Sequence, residues 1–292
     1  MLKSFCAMNI LRLLFLVFLL ALPAFGQKTA GKQSKVNPPP KKLKIPSAYA
    51  KHRWLIDMPT AAMLPRGSFD LDFKTFPSGG VQAALSIGLA RRFTMGIGYA
   101  GGQVLSEDIP EWNSRIEFLF RFLLADEREY EYFPSLAVGY SSYGYGLFVK
   151  ADSSRGYYED RYLVKSPGFY LAVSKRYDVQ GGDFGLHGGL NFSLENGADS
   201  DPNVFVGMDA VLGYDLVFLG EYDFALNDNR RLGIFGLGRG YLNFGLGWYI
   251  TPELCLELDF RNMLLNRKQS PTEGSGSIDR EIRLTYLQFF VD

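Results

Sequence analysis

Two histidines and two cysteines are all that this 292-residue chain offers for nucleophilic or metal chemistry beyond its hydroxyls and carboxylates. His187 lies in Gly-Leu-His-Gly-Gly, with Ser193 and Glu195 downstream. A histidine that deprotonates a serine while an acid orients its ring is the arrangement for acyl transfer. Along an extended strand, however, Ser193 is about 20 Å from His187, at about 3.3 Å per residue, and cannot hydrogen-bond to it. A serine on a neighbouring strand, such as Ser174, is the partner left for a lipid-processing hydrolase. The visible pattern puts no nucleophile and base together, so no catalytic residue is predicted and His187→Ala is expected to leave function intact.

The other candidates are weaker. His52 falls in a lysine- and proline-rich stretch, which excludes a histidine-rich metal centre. Cys255, two positions before Glu257, has no second histidine to activate it and reads as structural. Gly96-Ile-Gly98-Tyr-Ala-Gly101 matches a dinucleotide fingerprint by letters, but no helical pattern follows to present N–H groups to a phosphate. No cofactor and no metal are therefore expected. Basic and acidic residues balance at 31 each, which gives no ground for a nucleic-acid partner.

The elements that carry these residues are strands. From Phe184 to Glu195, apolar or small residues (Phe184, Leu186, Gly188, Leu190, Phe192, Leu194) alternate with polar or tiny ones. Side chains alternate across a strand, so this segment has one apolar and one polar face, at a length suited to crossing a bilayer at a tilt. Leu190 and Asn191 are expected near its middle, on opposite faces. The pattern predicts about 12 strands: Ser68–Phe76, Val81–Ala90, Phe93–Gly101, Asn113–Leu123, Ser135–Phe148, Tyr162–Tyr177, Asp183–Glu195, Asn203–Leu212, Leu216–Leu226, Gly240–Tyr249, Leu254–Asn262 and Arg280–Val291. Short connections such as Arg91-Arg92 alternate with long polar ones such as Val149–Arg161, as periplasmic turns and extracellular loops do. Pro77–Gly80 is short for an outer loop, and Leu124–Pro134 is long and acidic for an inner turn.

Ahead of the strands, Lys3 and Arg12 precede an apolar run from Leu13 to Ala21, with Ala24 and Gly26 as small residues for cleavage. Residues 1–26 thus read as a signal peptide that removes Cys6. Residues 27–55 carry lysines without acids and Pro38-Pro39-Pro40, the composition of an extended periplasmic linker. Residues 56–292 are expected to form one domain, an all-β antiparallel transmembrane β-barrel in a bacterial outer membrane, in contact with outer-membrane lipid. Charges facing hydrocarbon would each cost about 2–4 kcal/mol near the midplane if basic, so the polar face must point inward. The lumen candidates are Asp70, Asp72, Arg115, Glu117, Arg121, His187, Asn191, Asp209, Glu221, Asp223, Glu257, Asp259, Arg261 and Arg283. Tyr143-Gly-Tyr-Gly146 and Tyr157-Tyr158 suit an aromatic girdle, with sugar stacking as the alternative.

Ile56-Asp-Met-Pro-Thr-Ala-Ala-Met-Leu-Pro-Arg-Gly-Ser-Phe69, Asp160-Arg-Tyr-Leu-Val-Lys-Ser-Pro-Gly-Phe-Tyr170, Gly185-Leu-His-Gly-Gly189, Gly220-Glu-Tyr-Asp-Phe-Ala-Leu-Asn-Asp228 and Gly238-Arg-Gly-Tyr-Leu-Asn-Phe-Gly-Leu-Gly-Trp248 resemble segments of uncharacterised bacterial outer-membrane barrel proteins. These are more distantly similar to YjbH-like barrels associated with exopolysaccharide loci. The resemblance implies a non-enzymatic, porin-like or polysaccharide-associated barrel that meets polysaccharide or small solutes. Leu284-Thr-Tyr-Leu-Gln-Phe-Phe290 resembles the aromatic C-terminal signal read by the barrel-assembly machinery, although Val291 and Asp292 follow it. Two other readings stand beside this one: a structural or assembly barrel whose lumen is closed by ion pairs and by residues 45–65 folding inward, and a lipid-processing hydrolase.

Overall fold

The computed structural model describes residues 52–130, 132–179, 182–195, 199–213, 215–268 and 278–290; the expected signal peptide and residues 27–51 of the expected linker lie outside them. The described residues form thirteen strands: β1 (Ser68–Phe76), β2 (Gly80–Ala90), β3 (Phe93–Gly102), β4 (Glu111–Trp112), β5 (Glu117–Ala125), β6 (Ser135–Ser141), β7 (Gly168–Val179), β8 (Gly182–Phe192), β9 (Asn203–Leu212), β10 (Leu216–Asp223), β11 (Tyr241–Tyr249), β12 (Leu254–Arg261) and β13 (Asp279–Phe289). β4 is a two-residue flap on β3. The other twelve form a ring of antiparallel neighbours, closed where β13 meets β1 and where β3 meets both β2 and β5. Closure leaves no unpaired edge, the condition on which strands can cross hydrocarbon.

The two faces of this ring invert the order of a water-soluble domain. Charged side chains fill the inside, with Asp209, Asp259 and Glu281 at 0% exposure. Apolar ones stand on the outside, where Leu190 is 52% and Ile282 53% exposed. Cross-strand register aligns the outer residues in rows, such as Leu85 with Ile97, Ile97 with Phe118, and Leu246 with Leu258. An apolar surface that runs around a whole molecule is far larger than the patches tolerated in water, so its solvent is lipid.

Each of the twelve predicted segments overlaps one of these strands, and the largest differences lie at one end of the ring. The predicted strand Ser135–Phe148 stops at Ser141, and Tyr162–Tyr177 starts only at Gly168. Gly168 has φ +66°, and a Cβ there would sit 2.0 Å from the Phe192 carbonyl oxygen, so the chain bends at this glycine. Residues 142–167 fold back as an irregular hairpin with bridges Tyr145–Val164 and Val149–Arg161. Tyr145, Val149, Tyr157 and Val164 pack with Phe76, Ile234, Phe235 and Tyr241 to form an apolar cap at the long-loop end. Tyr157 is therefore buried in the cap, which corrects its expected place in a girdle.

At the short-turn end the long acidic connection after β5 is explained by pairing. Glu129 binds both Arg91 and Arg92 of the neighbouring turn, and Arg128 binds Asp126 at 2.6 Å. Leu190 and Asn191 do face opposite ways, but they sit at the cap end of β8 rather than in its middle, because the strand ends at Phe192.

Candidate functional site

The inside of the ring is occupied by the chain itself. Residues 52–67 enter it ahead of β1, and Leu55, Ile56, Met58, Ala61 and Leu64 are buried there. His52–Leu55, whose composition groups them with the linker, belong to this plug in space. The plug is a tight loop. Leu55 N–H donates to the Met58 carbonyl at 2.9 Å, Thr60 N–H donates to the Arg53 carbonyl at 3.0 Å, and Trp54 bridges Pro59. A loop folded this tightly points several N–H groups outward, and each needs an acceptor once buried.

Glu221 on β10 supplies that acceptor three times. One carboxylate oxygen accepts from the N–H groups of Ile56 at 3.0 Å, Asp57 at 2.9 Å and Met58 at 2.8 Å. The other accepts from Asn243 Nδ2 at 2.8 Å. One carboxyl oxygen thus satisfies three successive backbone donors that the plug's fold would otherwise leave unpaired. Further along, Arg121 Nη1 donates to the Ala62 carbonyl at 2.8 Å, and Arg283 Nη1 donates to the Leu55 carbonyl at 3.2 Å. Arg53 pairs with Asp70 at 2.8 Å, and Asp57 pairs with Arg261.

The next plug contact completes a relay. Ala61 N–H donates to Ser174 Oγ at 2.9 Å; Ser174 Oγ lies 2.8 Å from His187 Nδ1; His187 Nε2 lies 2.5 Å from Asp209 Oδ1. Arg176 holds the same carboxylate from the far side, at 2.8 Å from Oδ2 and 3.1 Å from Oδ1. With Asp209 as the acceptor for Nε2–H, Nδ1 is left to accept the Ser174 hydroxyl proton. Register makes the relay: Ser174 stands directly opposite His187, and Asp209 opposite Gly185. A Cβ at Gly185 would lie 2.5 Å from Asp209 Oδ1 and 2.7 Å from His187 Nε2, so only glycine leaves room. This corrects the expectation that no nucleophile and base come within reach, because cross-strand pairing does what spacing along one strand cannot.

The remaining lumen candidates divide into two groups. Around β12, β13 and β1, Arg283 meets Asp72 at 2.7 Å and Glu257 at 3.7 Å, and Arg261 meets Glu281 at 2.7 Å, with Asp259 buried beside them. Under the cap, Glu117 accepts from Tyr162 and from Gln82, both at 2.6 Å. Asp223 accepts from Asn203 at 2.6 Å, and Asn203 also donates to Asn191 at 3.0 Å. Arg115 lies outside the strands, since β5 begins at Glu117; its guanidinium stacks 3.9 Å over Phe148 in the cap, a cation–π contact. Also in the cap, burial alone would raise the Asp228 carboxyl, but Arg161 at 2.8 Å outweighs it and holds the carboxyl below the usual carboxylate range.

Sequence reasoning passed over the apolar residues on the inner face. Phe205, Val211, Val217, Leu219 and Ala172 point inward and pack on Leu55, Ile56 and Met58. Cys255 joins the same cluster. Their alternation with Phe218 and Met208 on the outer face was the available signal: a water-filled lumen has no use for such residues, whereas a plug needs them. Between plug and wall the cavities among the described residues are small, about 40 Å³ beside Arg53, Asp70 and Arg283 and about 30 Å³ beside Trp54 and Tyr143.

No protein-family model matches this chain, and no curated protein does. Among solved structures it is similar to a NanC porin at 10% identity and a TM-score of 0.39, over 76% of this chain and 100% of that one. A KdgM porin matches at 10% identity and a TM-score of 0.39, over 77% of this chain and 99% of that one. OmpF of Salmonella typhi matches at 8% identity and a TM-score of 0.31, over 76% and 96%.

Proposed function

We propose that this protein is a plugged barrel of the bacterial outer membrane, closed to solutes in its resting state and opened by withdrawal of residues 52–64. The observation that carries this reading is the clasp of Glu221 on three successive plug N–H groups, reinforced by apolar inner-face residues that a permanent aqueous pore would not carry. Outer-membrane residence rests on the lipid-facing exterior and on the expected signal peptide. In the plugged state the barrel does no chemistry, because Ala61 occupies the Ser174 hydroxyl. The porin-like or polysaccharide-associated role belongs to the unplugged state, whose lumen would be lined by the charges around Arg261 and Arg283; the polysaccharide association is supported by the sequence resemblance alone.

Planar-bilayer conductance tests this. The full chain should give no steady current, and a chain lacking residues 52–64 should give discrete conductance steps. Steady open channels from the full chain would overturn the plug.

A further inference from the structure

A latch on one backbone N–H requires only the Ser174 hydroxyl. The structure places behind it a histidine and a carboxylate in hydrogen-bonded series, at 2.8 and 2.5 Å, with a glycine at 185 that clears their contact. All three side chains are buried and come from three adjacent strands, β7, β8 and β9. Rigid strands fix such groups more closely than loops do. A second feature, at the neighbouring plug residue, is a buried donor left unused. Arg121 donates Nη1 to the Ala62 carbonyl, while its Nη2 is buried without a hydrogen-bond partner among the described residues. The plug residues Ala61 and Ala62 thus occupy the nucleophile through an N–H and Arg121 through a carbonyl.

We propose that Ser174, His187 and Asp209 form a masked acyl-ester hydrolase site, covered by the plug and exposed when the plug withdraws. This rests on the plug reading above. Once Ala61 has left, Ser174 Oγ attacks the ester carbonyl and its proton moves to His187 Nδ1. Asp209, held by Arg176, steadies the imidazolium through Nε2–H. The imidazolium then protonates the departing alkoxide as its C–O bond breaks, leaving an acyl-serine. A water molecule deprotonated by Nδ1 releases the acid and restores the hydroxyl; the sum is ester plus water to acid plus alcohol. The lumen around the site carries Arg121, Arg176 and Glu221. The substrate class that fits is a short-chain ester of a polar alcohol, not a long lipid acyl chain.

The test uses the full chain with Glu221→Ala, which removes the plug clasp without touching the relay. Plug release is read by maleimide labelling of Cys255, which packs against Leu55 and Ile56. The expected result is covalent labelling of Ser174 by a fluorophosphonate and hydrolysis of p-nitrophenyl acetate, each at least tenfold above the unaltered chain. Both should be abolished by adding Ser174→Ala, and acetate should be preferred to decanoate. If Cys255 stays shielded, deletion of residues 52–64 provides the open lumen for the same assays. A folded barrel with a reactive Cys255 but labelling and hydrolysis no greater than in its Ser174→Ala counterpart overturns the proposal. Conductance of that same protein would leave the plug reading standing.

Discussion

The Glu221 carboxylate accepts the Met58 backbone N–H at 2.8 Å across 163 positions of sequence, and through this contact a segment ahead of the first strand is fastened to the tenth. The contact is polar, but its consequence is apolar. It holds Leu55 and Ile56 in one apolar cluster with Val217, Leu219 and Cys255, where the clasp grips.

Removing the clasp leaves the buried N–H groups of Ile56 and Met58 without their acceptor, at about 1–3 kcal/mol each, and frees the half-buried one of Asp57. Glu221→Ala is therefore expected to raise the maleimide labelling rate of Cys255 by at least tenfold, with the barrel still heat-modifiable on gels. Glu221→Gln keeps an acceptor oxygen and should fall between the two. Labelling of Cys255 at equal rates in all three proteins would show that the clasp does not hold the plug.

Gly185→Ala puts a Cβ within 2.5 Å of Asp209 Oδ1. Relief requires the His187–Asp209 contact to open, and crowding of this kind costs about 1–3 kcal/mol. Urea titration in a fixed lipid should show that loss, while Gly213→Ala, which meets nothing within 4 Å, should lose less despite its φ of +71°. Equal losses would mean that the relay is not tightly set.

The depth of a residue along its strand decides what an arginine costs there. Leu246 and Leu258 are direct cross-strand partners on the outer face, away from both strand ends. Leu246→Arg should cost about 2–4 kcal/mol of folded stability, whereas Leu190→Arg, close to the cap end, should cost about 0–1 kcal/mol by reaching the interface. Asn191→Arg is expected to be worse than Leu190→Arg, because Asn191 is buried and bonded to Pro167 and Asn203. Urea midpoints in one lipid rank the three. A tolerated Leu246→Arg would break the outer-face assignment.

The cap has its own electrostatic pin. Asp228 is held below the usual carboxylate range by Arg161, so its stabilisation is present above the unfolded value of about 3.9 and lost as pH falls through the lower folded value. The cap should therefore keep its hydrogen-exchange protection through mild acid and lose it only below about pH 4. Breaking this buried pair with Asp228→Asn should cost about 3–5 kcal/mol and expose residues 157–164 to exchange at neutral pH. Unchanged protection in that variant would assign the cap's order to its apolar cluster alone.

The alternation of Leu186, His187, Gly188, Gly189, Leu190 and Asn191 was enough to fix strands, faces and closure into a barrel. Side-chain direction in a strand is a local property of period two, and hydrocarbon penalises every charge placed on the wrong side. Strand ends near the cap were illegible because Tyr145, Val149 and Val164 also alternate; they leave the barrel only because Gly168 turns the chain and Phe235 and Tyr241 offer an apolar seat. The relay was partly legible: His187 and Ser174 on a neighbouring strand were named from the sequence, but the acid is Asp209, 22 positions from the histidine, and not Glu195, because only cross-strand register brings it there. The plug was legible only as an alternative, residues 45–65 folding inward, and the residues that hold it were not. Ile56, Asp57 and Met58 announce nothing by composition, since what binds them is their backbone N–H, which every residue but proline carries. Sequence by itself determined which faces meet lipid and which meet one another, because transfer into hydrocarbon sorts side chains residue by residue. Only the tertiary structure decided that the lumen is full, because occupancy depends on a main-chain shape and on a carboxylate 163 residues away.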